Sequence, residues 1–158
     1  MKPTSRQRYY QIPEKTVQKL LANSLRRQGY QVVEQCLGDP TEFDDITECA
    51  TSTIFGIDVV AQKGEVLWVI EVKGQPKGGT ASCYSIFMAG IAQILTRMTK
   101  VSGNIHYGLA IPNTDMFVPV ARKFTRDHTG KERPKLRLLN ESILLIQEDG
   151  SIELLGSR

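Results

Sequence analysis

Cysteine and histidine are scarce in this sequence, and neither is spaced as in a metal or catalytic centre. Cys36, Cys49 and Cys83 are odd in number and far apart, with no CxxC pair and no Cys/His cluster. This pattern does not indicate a zinc site or a disulfide framework. The two histidines, His106 and His128, form no triad with a serine or cysteine that the pattern can place beside them. We expect His106 to pack within its strand.

Long hydrophobic runs are also missing. No apolar segment approaches the roughly 20 residues that span a membrane. Residues 1–15 are charged and lack the apolar segment of a signal peptide. The 158 residues, 41% hydrophobic and 23% charged, suit one globular domain over 1–158. We therefore predict a single-domain cytoplasmic protein with no membrane partner.

Charge is nearly balanced in number but uneven along the chain. The net charge of +3 is too small to name a partner. Residues 39–48 carry acids and no base, whereas residues 121–137 are rich in lysine and arginine. The basic segment can follow a nucleic-acid backbone or be a solvated loop, and the sequence leaves both interpretations open. An N-terminal arm with Arg6 and Arg8 could extend the same surface.

Hydrophobic periodicity predicts alternating helices and strands. Pro13 marks the start of a first helix, Leu21 and Leu25 continue its apolar stripe, and Gly29 marks its end. The other predicted elements are strands over 30–37, 53–61 and 66–73, a helix over 82–101 with an apolar stripe at Phe87, Ile91, Ile94, Leu95 and Met98, a strand over 105–112, a helix over 116–127, and strands over 136–140, 142–147 and 151–155. This order predicts an α/β fold with a central mixed sheet flanked by helices.

Charged residues interrupt two strands that are otherwise apolar. Glu71 and Lys73 follow the apolar run 66–70, and they share one face of the strand because side chains alternate. Asp58 interrupts the preceding strand in the same way. Charges in apolar strands are costly unless they are paired or bind a metal, so these three residues are candidates for a site.

The turn between the two strands decides whether these charges meet. A two-residue turn at Lys63-Gly64 would place Asp58 and Glu71 as diagonal neighbours on one face, roughly 7–8 Å apart at the backbone. Gly56 would then lie opposite Glu71 and leave open space beside it. The two carboxylates could bind one divalent cation between them. A one-residue slip would send Asp58 to the other face.

Glu14 lies inside the apolar stripe of the first helix rather than opposite it. On a helical wheel it falls between Leu21 and Leu25, which aims its carboxylate toward the sheet. A glutamate in the first turn of a helix is also favoured by the helix dipole alone. The sequence supports both interpretations equally.

Asp58, the Glu71-Val72-Lys73 triplet at the end of a hairpin and the upstream helical Glu14 together resemble the PD-(D/E)xK nuclease superfamily. Its members include archaeal Holliday-junction resolvases and many repair and defence nucleases. The resemblance extends from the first helix to Pro112, about two-thirds of the chain. It implies a restriction-endonuclease-like fold with an αβββαβ core, here with a C-terminal β addition, and endonucleolytic hydrolysis of phosphodiester bonds in DNA.

The resemblance also implies roles for individual residues. Asp58 and Glu71 would bind Mg²⁺, with Mn²⁺ as a possible substitute, and Glu14 would complete the metal site. Lys73 would contact the attacking water or the developing charge. Carboxylate oxygens suit a hard cation, which neutralises phosphate charge and lowers the pKa of a bound water.

Two further positions bear on the resemblance. Gln93, near Gly90 on the helix after the lysine strand, is similar to a glutamine that many branches carry there, and so is a catalytic candidate. Ile57 departs from the family pattern, which often has proline before the aspartate, and the subfamily therefore stays open. Many such nucleases dimerise, so a homodimer is a further expectation, with the exposed edge of the terminal hairpin as one possible contact.

Each candidate also has a purely structural interpretation. Asp58, Glu71 and Lys73 could form an ion-pair network on a wet sheet face, and Gln93 could be an ordinary boundary glutamine. Arg97 could contact phosphate but is more often solvated, and Gln75 is a weak candidate. Asp44 and Asp45, rival metal ligands, are expected in an acidic surface loop. The alternative function is a non-catalytic DNA-binding or assembly subunit that kept the nuclease fold.

Overall fold

The structure, a computed structural model, describes residues 11–125 and 142–155. These residues form helices α1 (Glu14–Arg27), α2 (Thr80–Arg97) and α3 (Phe117–Thr125), and strands β1 (Gln31–Cys36), β2 (Ile57–Lys63), β3 (Val66–Val72), β4 (Ile105–Pro112), β5 (Ile143–Ile146) and β6 (Ile152–Leu154). The predicted α/β architecture is confirmed. The predicted strand over 136–140, His128, the N-terminal arm and residues 126–137 of the basic segment lie outside the described residues.

The six strands form one mixed sheet in the order β1-β2-β3-β4-β5-β6. The pairs β1-β2, β2-β3 and β5-β6 are antiparallel, whereas β3-β4 and β4-β5 are parallel. The parallel pairs need crossover connections, and α2 and α3 provide them. Strand β6 is therefore an edge of the sheet, as predicted for the terminal hairpin.

The helices cover both faces of the sheet. Helix α1 packs its buried residues against one face, where Val17, Leu21 and Leu25 meet alternate residues of β2 and β3. Helices α2 and α3 cover the other face, where Phe87 and Phe117 pack against β4 and β5. None of the helices in the described part of the chain is both long and apolar enough to cross a membrane.

Helix α1 begins and ends where the sequence predicts. Pro13 precedes the first turn, and Gly29 after the helix has φ +88°, a left-handed conformation that glycine adopts at low cost. The Gly29 and Tyr30 amides donate to the carbonyls of Arg26 and Leu25, which satisfies the last turn as a Schellman motif.

The turn between β2 and β3 differs from the prediction, and the pairing of the two strands shifts by two positions. Lys63 pairs with Val66, so the turn is Gly64-Glu65 rather than Lys63-Gly64. Gly64 has φ +59° and occupies the first turn position, where a type II′ hairpin requires glycine. Lys63 stays in the strand, and its ammonium donates to the Gln28 carbonyl at the end of α1, at 2.7 Å.

This register changes the predicted neighbours of Glu71. Val59 of β2 pairs with Ile70 of β3. One residue further along this antiparallel pair, Asp58 lies directly opposite Glu71 instead of diagonal to it. A shift of two residues preserves the face, so both carboxylates still project to the same side. The prediction of open space beside Gly56 is wrong, because a side chain there would meet the backbone of Gln35 and Cys36.

Strand β2 begins at Ile57, four residues later than predicted, because residues 52–55 form a turn around Ser52. The hydroxyl oxygen of Ser52 accepts hydrogen bonds from the amides of Ile54 and Phe55. A second difference lies near the end of α2. Leu95 belongs to the predicted apolar stripe but is exposed, whereas Ile94 beside it is buried.

Cys36 and Cys49 form a disulfide, contrary to the sequence prediction. The acidic segment that follows β1 folds back through two single-turn 3-10 helices and brings the two Cα atoms to 5.7 Å. The two cysteines are 13 positions apart in sequence. Their spacing alone does not predict the pair, which depends on the path of the segment between them. Disulfides persist mainly in oxidising compartments, so this bond does not favour the predicted cytoplasmic location.

His106 lies in β4, as predicted, but it is exposed there and contacts the neighbouring strand β3. Its ring stacks on Trp68 with the ring centroids 4.8 Å apart. The two residues are directly paired across the parallel strands β3 and β4. His106 is therefore part of an aromatic pair on the sheet.

Candidate functional site

Two buried carboxylates lie side by side where β2 begins and β3 ends. Asp58 is 7% exposed and Glu71 is 3% exposed. Asp58 is held at both oxygens: Oδ2 accepts from the Val72 amide at 2.8 Å, and Oδ1 accepts from the Gln35 side-chain amide at 3.2 Å. The position of Asp58 is thus fixed by the strands on either side of it.

Glu71 faces a cation supplied by α2. The Arg97 guanidinium donates from Nε to Glu71 Oε1 at 3.0 Å. Burial, with a further contribution from the neighbouring Asp58 carboxyl, raises the pKa of Glu71 to about 7, and Arg97 opposes that rise. The Arg97 side chain is 39% exposed, so it remains partly solvated as expected, but its guanidinium is also paired with a buried acid.

Lys73 and Glu14 meet above the end of the sheet. The Lys73 ammonium lies 3.8 Å from Glu14 Oε2, and the Lys73 side chain is largely buried whereas that of Glu14 is half-exposed. Burial raises the pKa of Glu14, Lys73 opposes that rise, and Asp58 adds to it. Glu14 therefore interacts with both Lys73 and Asp58, in agreement with one of the two interpretations of its position in the helix.

Gly74 allows α1 to begin beside Lys73. A Cβ at this position would collide with the Ile12 carbonyl and lie 2.6 Å from the Glu14 amide nitrogen. Ile12 and Gln75 form a backbone bridge through two hydrogen bonds of 3.0 and 2.9 Å. The close approach at Gly74 is thus what places Glu14 over the end of β3.

All five residues predicted for the site line one cavity of about 370 Å³. They are Glu14, Asp58, Glu71, Lys73 and Gln93. They come from α1, β2, the end of β3 and α2, so four separate parts of the chain build the cavity.

Gln93 reaches this cavity from the exposed side of α2. Gly90 lies three residues earlier on the buried side of the same helix. A Cβ at Gly90 would come within 3.2 Å of Lys73 Cγ. The absence of a side chain at Gly90 therefore lets α2 pack closely over Lys73.

Two glutamines that the sequence analysis does not single out belong to the same cavity. Gln35 donates from its side-chain amide to Asp58 Oδ1 and to Gln18 Oε1, at 3.2 and 3.3 Å. Gln18 in turn donates to Glu34 Oε1 at 3.1 Å. Gln18 lies one helical turn after Glu14, so the helical repeat could have indicated it. Nothing in the sequence pattern could have indicated Gln35.

Gln35 also has an unusual backbone conformation. Its φ of +54° is left-handed, a region that non-glycine residues seldom occupy, and the surrounding structure must hold it there. The backbone at this point lies against Gly56, whose φ is +126°. The strained residue is thus the one whose side chain contacts Asp58.

Three other candidates lie away from the carboxylates. Gln75 is buried, and its side-chain oxygen accepts from the Thr114 hydroxyl. Asp45 caps a single-turn helix by accepting from the Thr47 amide at 2.9 Å. Asp44 lies with it in the acidic loop, beside a different cavity, as expected.

The two carboxylates do not by themselves form a complete ligand set. Within residues 11–125 and 142–155, no group of three or more His, Cys, Asp or Glu side chains is arranged to hold a metal. The donor chemistry nevertheless suits a hard divalent cation, since Mg²⁺ commonly uses one or two protein carboxylates and keeps several waters. Adjacent buried carboxylates also repel each other when both are ionised, and a cation between them would remove that cost.

Comparisons of the chain with protein-family models, with curated proteins and with solved structures find no match.

Proposed function

We propose that this protein is a metal-dependent endonuclease that hydrolyses phosphodiester bonds in DNA, with a restriction-endonuclease-like fold. The observation that supports it is the pair of buried carboxylates, Asp58 and Glu71, on one face of a hairpin and beside Lys73 in a single cavity. Buried ionisable groups that are gathered in one cavity, one of them with a strongly raised pKa, are typical of functional sites.

In this proposal Asp58 and Glu71 hold Mg²⁺, and Glu14 supports the site from α1. When bound, the cation would neutralise phosphate charge and lower the pKa of a water. Lys73 holds its ammonium beside the cavity, where it can stabilise charge that develops on a phosphate oxygen. Gln35 orients the Asp58 carboxylate through its 3.2 Å hydrogen bond.

The first test is cleavage of plasmid, single-stranded and four-way-junction DNA in Mg²⁺, Mn²⁺ or EDTA. We expect cleavage only with metal, and a loss of roughly 100-fold or more in Lys73→Ala because the positioned charge is removed. Lys77→Ala is the matched control, since Lys77 is exposed and does not line the cavity. Equal cleavage by both variants would contradict the role of Lys73.

The second test measures the metal directly. Calorimetric titration with Mn²⁺ should show an affinity that is lower by more than roughly tenfold in Asp58→Asn. Loss of a residue that hydrogen-bonds a metal ligand already lowers metal affinity about tenfold, and loss of the ligand itself should lower it at least as much. Asp44→Asn should bind as the wild type does. An absence of Mn²⁺ binding by the wild type would refute the metal site.

A second candidate function is a non-catalytic DNA-binding or assembly subunit. It is favoured by the Arg97–Glu71 ion pair, which supplies from the protein itself a positive charge that a metal would otherwise bring. This candidate predicts DNA binding with unchanged DNA under every metal condition, and it predicts that Arg97→Ala lowers the free energy of unfolding by breaking the ion pair.

A further inference from the structure

Two large hydrophobic side chains are exposed at the rim of the cavity. Ile54 is 76% exposed and Phe55 is 71% exposed, and they are consecutive in the turn before β2. Both line the same cavity as Asp58, Glu71 and Lys73. Adjacent exposed hydrophobic residues beside a polar cavity indicate an interaction surface.

The turn that carries them is held in place by several contacts. Thr51 forms a bridge with Cys36, and the Ser52 amide donates to the Gln35 carbonyl at 3.1 Å. The Ser52 hydroxyl oxygen accepts from the amides of Ile54 and Phe55 at 3.2 and 3.3 Å. A surface that is ordered before binding loses less entropy when a ligand arrives.

The same segment connects the turn to the carboxylates. Gln35 anchors Ser52 through its backbone and Asp58 through its side chain. The apolar tip and the acidic centre are therefore fixed to one short piece of β1. With the proposed cation bound by the carboxylates, a ligand that bridges them would combine a flat ring with a phosphate within one cavity, whose volume of about 370 Å³ lies in the range of small-ligand sites.

We propose that Phe55, flanked by Ile54, stacks on an unpaired nucleobase next to the phosphate held at the site, so that the substrate is single-stranded or locally unpaired DNA. This inference rests on the proposed function. Aromatic rings stack on base faces, and those faces are free only where the base has left the duplex stack. A fully paired duplex offers no such face.

The test uses an oligonucleotide with nuclease-resistant phosphorothioate linkages and 2-aminopurine, in Mg²⁺ buffer. We expect wild-type protein to quench the fluorescence and to bind the single strand at least tenfold more tightly than the duplex. Phe55→Ala should weaken single-strand binding by roughly fivefold to 100-fold, as loss of one stacked base does. Phe55→Trp should retain single-strand binding. Neither substitution should change duplex binding by as much as twofold.

Tyr84→Ala is the control, because Tyr84 is 50% exposed on α2 and does not line the cavity. The inference is overturned if Phe55→Ala weakens single-strand and duplex binding equally, or if wild type prefers the duplex. It is also overturned if sedimentation shows a wild-type dimer that Phe55→Ala dissociates without a loss of stacking, since the turn would then be a contact between copies.

Cleavage of unmodified DNA separates this inference from the proposed function. Metal-dependent cleavage by wild type with no change of substrate preference in Phe55→Ala would refute the stacking alone. Stacking with no cleavage in any metal would support base stacking by Phe55 and refute the nuclease.

Discussion

At the scale of single residues, the state of each acid is set by its neighbours. Asp58 accepts two hydrogen bonds from fixed donors, whereas Glu71 has one guanidinium partner and a second carboxyl beside it. These surroundings differ although both side chains are buried. Glu71, whose pKa burial raises to about 7, therefore changes its protonation with pH near neutrality.

Without metal, the loss of the proton from Glu71 should make the protein less stable as pH rises. Its pKa in the folded protein is about 7, above the ordinary value of 4.5. Between these values the folded state holds a proton that the unfolded state has lost, so the free energy of unfolding falls with rising pH, by up to about 3 kcal/mol. Urea denaturation in EDTA between pH 5 and pH 8 measures this fall.

Glu71→Gln provides the control for this titration. It keeps the shape of the side chain and removes the ionisable group, so its unfolding free energy should vary less with pH than that of the wild type. An identical pH dependence in both proteins would show that other groups cause it.

At the scale of elements, the site exists because helices on both faces reach the end of one strand. Helix α1 brings Glu14 to Lys73, and α2 brings Arg97 to Glu71. Glycines make both approaches possible: Gly74 lies against the start of α1, and Gly90 lies on the buried side of α2.

Gly90→Ala should disturb the site through packing. The added methyl would lie 2.6 Å from Leu109 Cδ1 and 3.2 Å from Lys73 Cγ. Overpacking of this kind costs roughly 1–3 kcal/mol, which exceeds the helix propensity that alanine gains. We expect a lower free energy of unfolding in urea and weaker cleavage, because Lys73 must shift.

Gly103→Ala is the matched control, since a Cβ at Gly103 meets nothing within 4 Å. Its stability and activity should equal those of wild type within error. If Gly90→Ala is equally neutral, the approach of α2 to Lys73 is looser than the structure indicates.

At the scale of the whole molecule, the Cys36–Cys49 disulfide links the end of β1 to the acidic loop. Both cysteines are buried, and the same stretch of β1 anchors the turn that holds Phe55. The bond therefore restricts the conformations of the unfolded chain. In the folded protein it also holds the segment that lies beside the cavity.

Reduction of this disulfide should lower the stability of the folded protein. A closed loop with a sequence separation of 13 restricts the unfolded chain by an amount worth roughly 2–4 kcal/mol. Urea denaturation with and without a reducing agent measures the difference. The Cys36→Ala/Cys49→Ala variant should show the lower value under both conditions, and a reducing agent that also destabilises this variant would indicate another cause.

Local pattern was enough to predict much of the fold. The stripe of α1, its end at Gly29 and the bounds of β4 follow from side-chain periodicity and from glycine and proline, which act within a few residues. The prediction that Asp58 and Glu71 share a face was also correct, because a register shift of two residues leaves each side chain on the same face of the sheet.

The sequence by itself determined which residues carry charge into apolar strands and on which face they lie. Only the tertiary structure decided which groups surround them. The pairing of Cys36 with Cys49, the contact of Gln35 with Asp58 and that of Arg97 with Glu71 all join residues distant in sequence. Such contacts depend on how helices and strands pack against each other, and local periodicity does not predict that packing.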